Sequence, residues 1–285
     1  MGKIEEISFP INPKVSVIVI YTNDSQIKEC EKWIDCQDYD GEIEKIILDN
    51  RGNKSYVSAA SALNDGSEKA TGDILIFMHQ DVYLWDTTAI RRVAEYLKDN
   101  EKIILGAAGI AEQDGQNHYD IFMDKEKRKY AWGTGGKPLS AITLDECFIA
   151  MRKTLWQELK FDEKTCNDWH FYGADICYAN SLKGNKNVIF PLEIFHDSFG
   201  TPSGTGFYNS ALSIAKKYNG KILRIQTTCF NAKCSERGVK RYFKPRRLRN
   251  FFKKILRIIG LFPLAEKINK NRKKKKGLFV GENEN

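Results

Sequence analysis

Five apolar runs of strand length are the feature that most constrains the fold of this chain. They are nearly continuously apolar, which is typical of strands covered on both faces, as in a parallel sheet. Segments with a helical pattern lie between the first runs, near 24–37, 55–70 and 86–100. Strand–helix alternation of this kind predicts an α/β layered fold with a mostly parallel sheet flanked by helices. The five runs are Val15–Tyr21, Ile43–Asp49, Asp73–Met78, Ile103–Ile110 and Asn187–His196.

Polar or metal-ligating residues close four of these runs. Since ligands of open α/β sheets bind beyond the carboxyl ends of the strands, this clustering predicts a binding site at that edge. A carboxylate at Asp81 suits a divalent cation, and the imidazoles of His79 and His196 suit Mn²⁺. Two plainer interpretations stay open, in which Asp81 caps the next helix and the histidines are structural. The closing segments are Tyr21–Asp24, Asp49–Asn50, His79–Asp81 and His196–Ser198.

Composition excludes several classes of protein. Aromatic residues make up 12% of the 285 positions, enough to build a sizeable core, so we do not expect a disordered chain. No run reaches the roughly 18 apolar residues of a membrane-spanning helix, and the N-terminus has no apolar leader. The seven cysteines form no CxxC pair. This pattern favours a cytoplasmic protein with reduced thiols. His118 lies in a polar segment and is expected to face solvent.

Most of the positive charge lies near the C-terminus. Residues 240–276 contain sixteen Lys or Arg residues and one acid, Glu266, which gives a segment charge of 16 − 1 = +15. Because the whole chain carries +8, the remainder carries 8 − 15 = −7. The charge distribution therefore predicts two domains, an acidic globule over 1–235 and a basic extension over 236–285, and does not indicate a basic nucleic-acid-binding domain.

The basic extension has the pattern of an amphipathic helix over 246–259, with Phe, Leu and Ile on one side and Arg and Lys mostly on the other. A compact basic block, Arg272–Lys276, follows. Such a segment can lie on an anionic membrane, so we expect residues 246–276 to attach the protein to the inner face of the cell membrane. A helix packed on the domain and a nucleic-acid-binding arm remain as alternatives.

The order of motifs resembles the family 2 glycosyltransferases of GT-A fold, in particular the branch with a His-Gln-Asp-Val motif that is related to StrF-like domains. The resemblance covers roughly residues 14–205. The matching segments are VSVIVIYTND (15–24), ILDN (47–50), SAASALNDGSEKATGDILIFMHQDVYL (58–84), AAGIA (107–111), TLDECFIAMRK (143–153), FDE (161–163), WHFYGADICYA (169–179) and IFHDSFG (194–200).

On the donor side, the resemblance implies roles for seven residues. Tyr21, Thr22 and Asp49 correspond to positions that hold the base and ribose of the nucleotide, and Asn64 lines the donor pocket. His79, Gln80 and Asp81 occupy the place of the family's Asp-x-Asp motif. Asp81 would hold a Mn²⁺ or Mg²⁺ ion on the sugar diphosphate, with His196 as a further metal ligand. This motif has one carboxylate where the family has two.

On the acceptor side, Asp175 corresponds to the catalytic Asp of the family's Glu-Asp motif, although Ala174 replaces the Glu. Asp145 and Glu146 fall where acceptor contacts are expected. Trp169 and Tyr172 could form an acceptor platform, since aromatic faces suit the C–H surfaces of sugars. The plain interpretation of Trp169 and Tyr172 is packing in the core, and that of Asp175 is a favourable contact with the helix dipole.

The resemblance implies an inverting, metal-dependent glycosyltransferase. It would move a sugar from a nucleotide-sugar, a UDP-sugar by expectation, to a hydroxyl of a glycan or lipid-linked acceptor, with Asp175 as general base. Two alternatives remain: a nucleotide-sugar-binding protein without transferase activity, and a nucleic-acid-binding protein acting through the basic extension. The second alternative leaves the acid and histidine cluster unexplained, so no nucleic-acid partner is expected.

Overall fold

The computed structural model of the protein describes residues 9–122, 133–197 and 204–244. The chain divides into two compact units between Glu236 and Arg237. Of the second unit, residues 237–244 are described, and they are helical. The predicted amphipathic segment 246–259 and the basic block 272–276 lie outside the described residues, so their helical structure and the predicted domain division remain predictions. None of the described helices combines the length and the apolar character needed to cross a bilayer.

The N-terminal half of the first unit alternates strands and helices, as the sequence predicts. A short 3-10 turn, Arg51–Asn53, follows the second strand. The elements are β1 (Val15–Tyr21), α1 (Asp24–Asp35), β2 (Ile43–Asp49), α2 (Ala59–Lys69), β3 (Ile74–His79), β4 (Val82–Tyr83), α3 (Ala89–Asp99), β5 (Ile103–Gly106), β6 (Ala108–Ala111), β7 (Asn117–Tyr119) and β8 (Ile121–Phe122).

The C-terminal half of this unit completes the main sheet and adds a hairpin. Its elements are β9 (Leu139–Leu144), β10 (Phe148–Arg152), α4 (Lys153–Leu159), α5 (Tyr172–Leu182), β11 (Lys186–Ile189), β12 (Ile194–His196), α6 (Thr205–Tyr218), β13 (Arg224–Thr227) and β14 (Phe230–Lys233).

The main sheet contains nine strands in the order β2-β1-β3-β10-β5-β11-β9-β6-β7. Six of them, β1, β2, β3, β5, β6 and β11, run in one direction, and β7, β9 and β10 run in the other. The first five residues of β1 and of β3 are fully buried. The fold is therefore the predicted α/β architecture, a mostly parallel sheet whose central strands are covered on both faces.

Two of the predicted strands are each divided into two. The run Ile103–Ile110 forms β5 and β6, which pair with different neighbours. The run Asn187–His196 forms β11 in the main sheet and β12 in a separate sheet. Pro191 lies at the second break, where a residue without a backbone N–H cannot continue the ladder.

The separate sheet, in the order β4-β12-β8, positions one side of the functional edge. β12 pairs antiparallel with β4, which places His196 opposite Val82. The backbone N–H of Asp197 donates to the backbone carbonyl of Asp81 at 2.8 Å. This pairing brings the end of β12 beside the turn that follows β3, although more than a hundred residues separate them in the chain.

Candidate functional site

His79, Asp81 and His196 form a cluster in which one ligand atom from each residue lies within 4.8 Å of the others. The Oδ1 atom of Asp81 is 3.5 Å from Nε2 of His196 and 4.0 Å from Nδ1 of His79. Burial opposes ionisation of Asp81, but the hydrogen bond from His196 and the two imidazoles lower its pKa overall. Two imidazole nitrogens and a carboxylate oxygen are a suitable donor set for a divalent cation.

The other side of the His79 ring is fixed by Tyr172. The Nε2 atom of His79 lies 3.0 Å from the hydroxyl of Tyr172, which is 3.3 Å from the backbone carbonyl of Glu146. Since Nε2 is engaged by the tyrosine, Nδ1 is the nitrogen that faces Asp81. Burial lowers the pKa of His79. The ring is thus held in the neutral, oriented form that metal ligation requires.

Beside this cluster lies a cavity of about 440 Å³, a volume typical of small-ligand sites. The structure brings five of the sequence-predicted site residues to its wall, from several different elements. They are His79, Asp145, Glu146, Trp169 and His196. The wall also contains aromatic side chains, among them Phe171 and Phe207, which stack with ring centroids 4.9 Å apart. The cavity therefore combines carboxylates with aromatic side chains.

Asp145 faces the histidines. The hydroxyl of Thr228 donates to its carboxylate, as does the backbone N–H of Cys147 at 3.0 Å. Burial opposes its ionisation, but these two hydrogen bonds and the imidazoles of His196 and His79 hold the pKa of Asp145 below its ordinary value. Asp145 is therefore an anion at neutral pH, on the same side of the cavity as the candidate cation site.

Glu146 turns toward the start of α5. Its Oε1 atom accepts a hydrogen bond from the backbone N–H of Gly173 at 3.2 Å. Burial and the charge of Asp145 raise its pKa to about 8. Among the described residues, no Lys, Arg or His forms an ion pair with Glu146. The pKa of Asp145 is thus lowered and that of its neighbour Glu146 is raised. Carboxyl groups whose pKa values are shifted in opposite directions are common in acid–base sites.

Asp175, the base predicted from the sequence, is not among the residues that line the cavity. Its side chain is only 3% exposed, and both carboxylate oxygens accept hydrogen bonds from the ammonium group of Lys217. Burial raises the pKa of Asp175, and Lys217 opposes that shift. In this structure, Asp175 belongs to a buried ion pair between α5 and α6.

The predicted donor residues lie at the ends of β1, β2 and β3. Tyr21 and Asp49 are register partners at the last positions of β1 and β2. The Gln80 side chain joins these ends to β3, since its Oε1 atom accepts from the backbone N–H groups of Thr22 and Asn23 at 2.7 and 2.9 Å. The alternation of side chains along a strand predicts that Gln80 points away from His79 and Asp81. The hydrogen bonds of Gln80 with Thr22 and Asn23 agree with this orientation.

Arg51 is a neighbour of this donor region that sequence reasoning missed. Its guanidinium donates to both oxygens of Asp49 and lies 5.5 Å from the centroid of the Tyr21 ring. The side-chain hydrogen bond from Arg51 lowers the pKa of Asp49 to about 2. The signal in the sequence is a basic residue two positions after a strand-ending acid.

Asn64 does not reach the cavity wall. Its amide nitrogen donates to the carbonyl of Phe161 at 2.9 Å and to Glu163 at 2.8 Å, and its oxygen accepts from the backbone N–H of Phe161 at 3.1 Å. The side chain therefore anchors the 161–163 loop to α2. Its predicted role in the donor pocket remains a prediction.

Residues of the β13–β14 hairpin tip were also missed. Thr227, Thr228 and Cys229 line the cavity, and Thr228 binds Asp145 through its hydroxyl. The amide of Asn117 donates to the carbonyl of Thr228 at 3.1 Å and fixes the tip in place. No motif marks these residues, because their position depends on the path of the chain after α6.

Comparisons with known proteins agree with this fold. A family model described as "Glycosyltransferase like family" matches residues 16–194. No curated protein is significantly similar in sequence. The GT-A fold is shared with two solved structures at low identity. GalNAc-T7, crystallised with UDP, GalNAc and Mn²⁺, has 14% identity and a TM-score of 0.50; the match covers 71% of this chain and 48% of that one. S. aureus TarS 1-349 in complex with UDP-GlcNAc has 15% identity and a TM-score of 0.51, and the match covers 73% and 68%.

The present chain thus spans about half the length of the GalNAc-T7 chain that it matches. Its likeness to the family 2 enzymes is supported at the level of the fold, whereas its place in a StrF-like branch with a His-Gln-Asp-Val motif remains a prediction. The family match extends over more than half of the chain and includes β1 to β3, the cavity carboxylates and α5. The protein therefore belongs to the glycosyltransferase-like family.

Proposed function

We propose that this enzyme is an inverting, metal-dependent glycosyltransferase that moves a sugar from a UDP-sugar to a hydroxyl of a glycan or a lipid-linked acceptor. The observation that carries the proposal is the cluster of His79, Asp81 and His196 at the edge of the cavity. A cation there would lie at the wall of the cavity that could admit an acceptor, since His79 and His196 belong to both.

The donor set fits Mn²⁺ or Mg²⁺, and the two imidazoles favour Mn²⁺. Asp81 supplies the carboxylate, with His196 3.5 Å away and His79 4.0 Å away. A divalent cation held by these residues would neutralise the charge that develops on the leaving diphosphate. A single protein carboxylate is compatible with such a site, because diphosphate oxygens and water usually complete the coordination of these ions.

The strand ends support a nucleotide-sugar as donor. Tyr21 and Thr22 at the end of β1 and Asp49 at the end of β2 form a polar edge that is suited to a base and a ribose. GalNAc-T7 holds UDP and Mn²⁺, and S. aureus TarS holds UDP-GlcNAc, which favours a uridine nucleotide here. The Asp49 carboxylate is ionised and able to accept hydrogen bonds from ribose hydroxyls.

The cavity supports a sugar acceptor. Trp169 lines it together with His170, and the His170 ring meets the Phe207 ring edge to face at 5.2 Å between centroids. Aromatic faces of this kind suit the C–H surfaces of a sugar ring, while the carboxylates of Asp145 and Glu146 can bind hydroxyl groups. Transfer with inversion needs one carboxylate that takes the proton of the acceptor hydroxyl as the new bond forms.

The cellular location follows from the basic extension. Residues 246–276 would bind anionic lipids and hold the enzyme at the cytoplasmic face of the membrane, where a lipid-linked acceptor is available. This part of the proposal rests on the sequence alone, because the segment lies outside the described residues.

The test is calorimetry with a panel of UDP-, GDP- and dTDP-linked sugars, with and without Mn²⁺. The wild type is compared with Asp81→Asn and with a matched control, Asp99→Asn, an exposed carboxylate at the end of α3. We expect one class of donor to bind in a Mn²⁺-dependent manner, with at least a tenfold loss in Asp81→Asn and no change in Asp99→Asn. Equal binding by the Asp81→Asn variant would contradict the metal site.

Release of the nucleoside diphosphate distinguishes the enzyme from a binding protein. Slow donor hydrolysis, or transfer to a sugar acceptor, requires a catalytic site, whereas a nucleotide-sugar-binding protein returns its ligand intact. No binding of any donor by the folded wild type would overturn the proposed function as a whole.

A further inference from the structure

We propose that Glu146 is the general base that takes the proton from the attacking hydroxyl, and that Asp175 instead has a supporting structural role. The inference rests on the proposed function, since it names the residue that performs the proton transfer in sugar transfer. It reassigns the role that the sequence predicts for Asp175.

Glu146 lines the cavity together with His79 and His196 of the candidate cation site and with Trp169. A base for an acceptor hydroxyl must be within hydrogen-bond reach of the substrate. Asp175 does not line the cavity, and its carboxylate is buried against Lys217. An acceptor bound in this cavity would therefore meet Glu146 and not Asp175.

The carboxyl group of Glu146 is held in one orientation. The Glu146 side chain is seated against Gly173 in the first turn of α5, where Oε1 accepts the backbone N–H of that glycine. A Cβ atom at residue 173 would lie 2.9 Å from Cγ of Glu146, so a larger residue there would displace the carboxyl group. One oxygen is thus anchored by the backbone in a site that only glycine leaves open, which is how a positioned base is held.

Asp145 and Glu146, although adjacent in sequence, have different surroundings. The charge of Asp145 acts on both His79 and His196, which places its carboxylate toward the candidate cation. Glu146 has no ion-pair partner among the described residues. Hydrogen bonds from Thr228 and from the backbone N–H of Cys147 favour the charged form of Asp145 and make it a weak base, whereas burial makes Glu146 the stronger base of the two.

The electrostatic environment agrees with the geometry. Burial and the charge of Asp145 raise the pKa of Glu146 to about 8, while the backbone N–H groups at the start of α5 partly oppose the shift. The titratable groups that face it are Asp145 on its own segment, Tyr172 on α5, and the thiols of Cys166 and Cys177. A base with a pKa near the working pH transfers protons most effectively.

The step is balanced with the groups present. The acceptor oxygen forms a bond to C1 of the sugar while its proton moves to the Glu146 carboxylate. The bond between C1 and the phosphate oxygen breaks, and its electron pair leaves with the nucleoside diphosphate. One displacement on the face opposite the leaving group inverts the configuration at C1. Water, used as the acceptor, follows the same course and gives donor hydrolysis.

The experiment measures donor affinity by calorimetry with Mn²⁺, and donor hydrolysis under single-turnover conditions, for a UDP-sugar that the wild type binds. The variants are Glu146→Gln and a matched control, Glu112→Gln, whose side chain is exposed. We expect donor affinity within threefold of the wild type in both variants, and a loss of hydrolysis of at least a hundredfold in Glu146→Gln alone. The wild-type rate should rise with pH and level off above about pH 8.

Azide separates a base from a structural residue. Azide ion attacks C1 without losing a proton, so 0.5 M sodium azide should restore turnover in Glu146→Gln and give the inverted glycosyl azide with loss of the pH dependence. The double variant Asp175→Asn/Lys217→Met removes the buried ion pair without leaving a charge on Asp175; Asp162, the other partner of Lys217, is 32% exposed. It should keep a hydrolysis rate that still rises through about pH 8, as the wild type does.

The outcomes are distinguishable. If Glu146→Gln binds the donor and hydrolyses it at the wild-type rate, Glu146 is not the base. If the variant binds the donor but azide does not restore its lost turnover, Glu146 is again not the base. Both outcomes leave the proposed function standing. A folded double variant without any hydrolysis, restored by azide, would return the base role to Asp175. If the folded wild type binds none of the donors, the proposed function is wrong, and the role of Glu146 is wrong with it.

Discussion

Both carboxylate oxygens of Asp175 accept hydrogen bonds from the Nζ atom of Lys217, at 2.7 and 2.8 Å. The same ammonium group reaches Oδ2 of Asp162 at 2.9 Å. Asp175 lies in the first turn of α5 and Lys217 in the last turn of α6, so one lysine ties two helices and the loop before them together. The side chains are 3% and 27% exposed, which makes this an ion pair largely removed from water.

Replacement of Lys217 by Met should destabilise the protein, because it leaves the Asp175 carboxylate buried without a counter-charge while keeping most of the side-chain volume. We expect a loss of about 2 kcal/mol or more in the free energy of unfolding, measured by urea denaturation, after allowance for the exposure of Lys217. The double variant Asp175→Asn/Lys217→Met should recover at least half of that loss. Additive losses in the two single variants and the double variant would show that the pair is not coupled.

Replacement of Tyr172 by Phe removes the hydroxyl that holds Nε2 of His79, which is 3.0 Å away. Groups that orient a metal-ligating histidine commonly change metal affinity by about 10-fold to 100-fold when they are removed. We therefore expect Tyr172→Phe to bind Mn²⁺ at least tenfold more weakly, as measured by the free Mn²⁺ signal in electron paramagnetic resonance.

Tyr178→Phe is the matched control for this prediction. Tyr178 lies on the same helix, and its buried hydroxyl bonds the backbone of Gln226 and not a cavity histidine. Its replacement should cost stability but leave Mn²⁺ affinity unchanged. If both variants lost Mn²⁺ affinity equally, the effect would come from packing of α5 and not from the orientation of His79.

The central sheet could be predicted because its strands are legible as local patterns. β1, β2 and β3 are continuous apolar runs with polar ends, and the structure begins and ends them within a residue of the predicted bounds. The same patterns predicted that His79 and Asp81 face one way and Gln80 the other, since alternation along a strand is local. The clustering of His196 with the other strand ends could be predicted from its place at the end of an apolar run, but the pairing of β12 with β4 that brings it beside Asp81 is not a local pattern.

Other parts of the site depend on contacts between distant segments and were beyond local reasoning. Lys217 neutralises Asp175 across 42 positions, and Thr228 binds Asp145 across 83. His118, expected to face solvent because its segment is polar, is only 8% exposed and pairs with Asp114. A polar segment indicates a surface strand, but not which of its side chains the neighbouring strands cover.

The pH dependence of stability offers an independent test of the environment of Glu146. Its pKa is raised from an ordinary value of 4.5 to about 8, so between these pH values the folded protein binds a proton that the unfolded chain has released. Stability should therefore fall as the pH rises from about 5 to 8, by at most about 1.4 kcal/mol per pH unit from this group. Glu146→Gln removes the titrating group. The free energy of unfolding of this variant minus that of the wild type should therefore increase across this interval.

The measurement is urea denaturation of both proteins at pH 5, 6, 7 and 8. Glu112→Gln serves as the control, because Glu112 is exposed and its replacement should leave the difference from the wild type constant. A constant difference between the wild type and Glu146→Gln would mean that Glu146 titrates as an ordinary carboxyl group, and would remove the electrostatic support for its role as a base.

The basic extension predicts a salt-sensitive attachment to membranes. Deletion of residues 246–285 removes thirteen of the sixteen Lys and Arg residues of the segment 240–276 together with the apolar side of the predicted helix. Each basic residue near an anionic surface contributes about 1 kcal/mol, and this attraction decays within a Debye length.

We expect the full chain to sediment with vesicles that contain 30% phosphatidylserine at 50 mM NaCl, and to do so more weakly at 500 mM NaCl. The chain without residues 246–285 should stay in solution. Deletion of 277–285 alone is the control and should bind like the full chain, since it keeps the basic segment; donor affinity should be unchanged in both. Equal binding to uncharged phosphatidylcholine vesicles, or vesicle binding by the chain without residues 246–285, would show that the extension is not an electrostatic anchor.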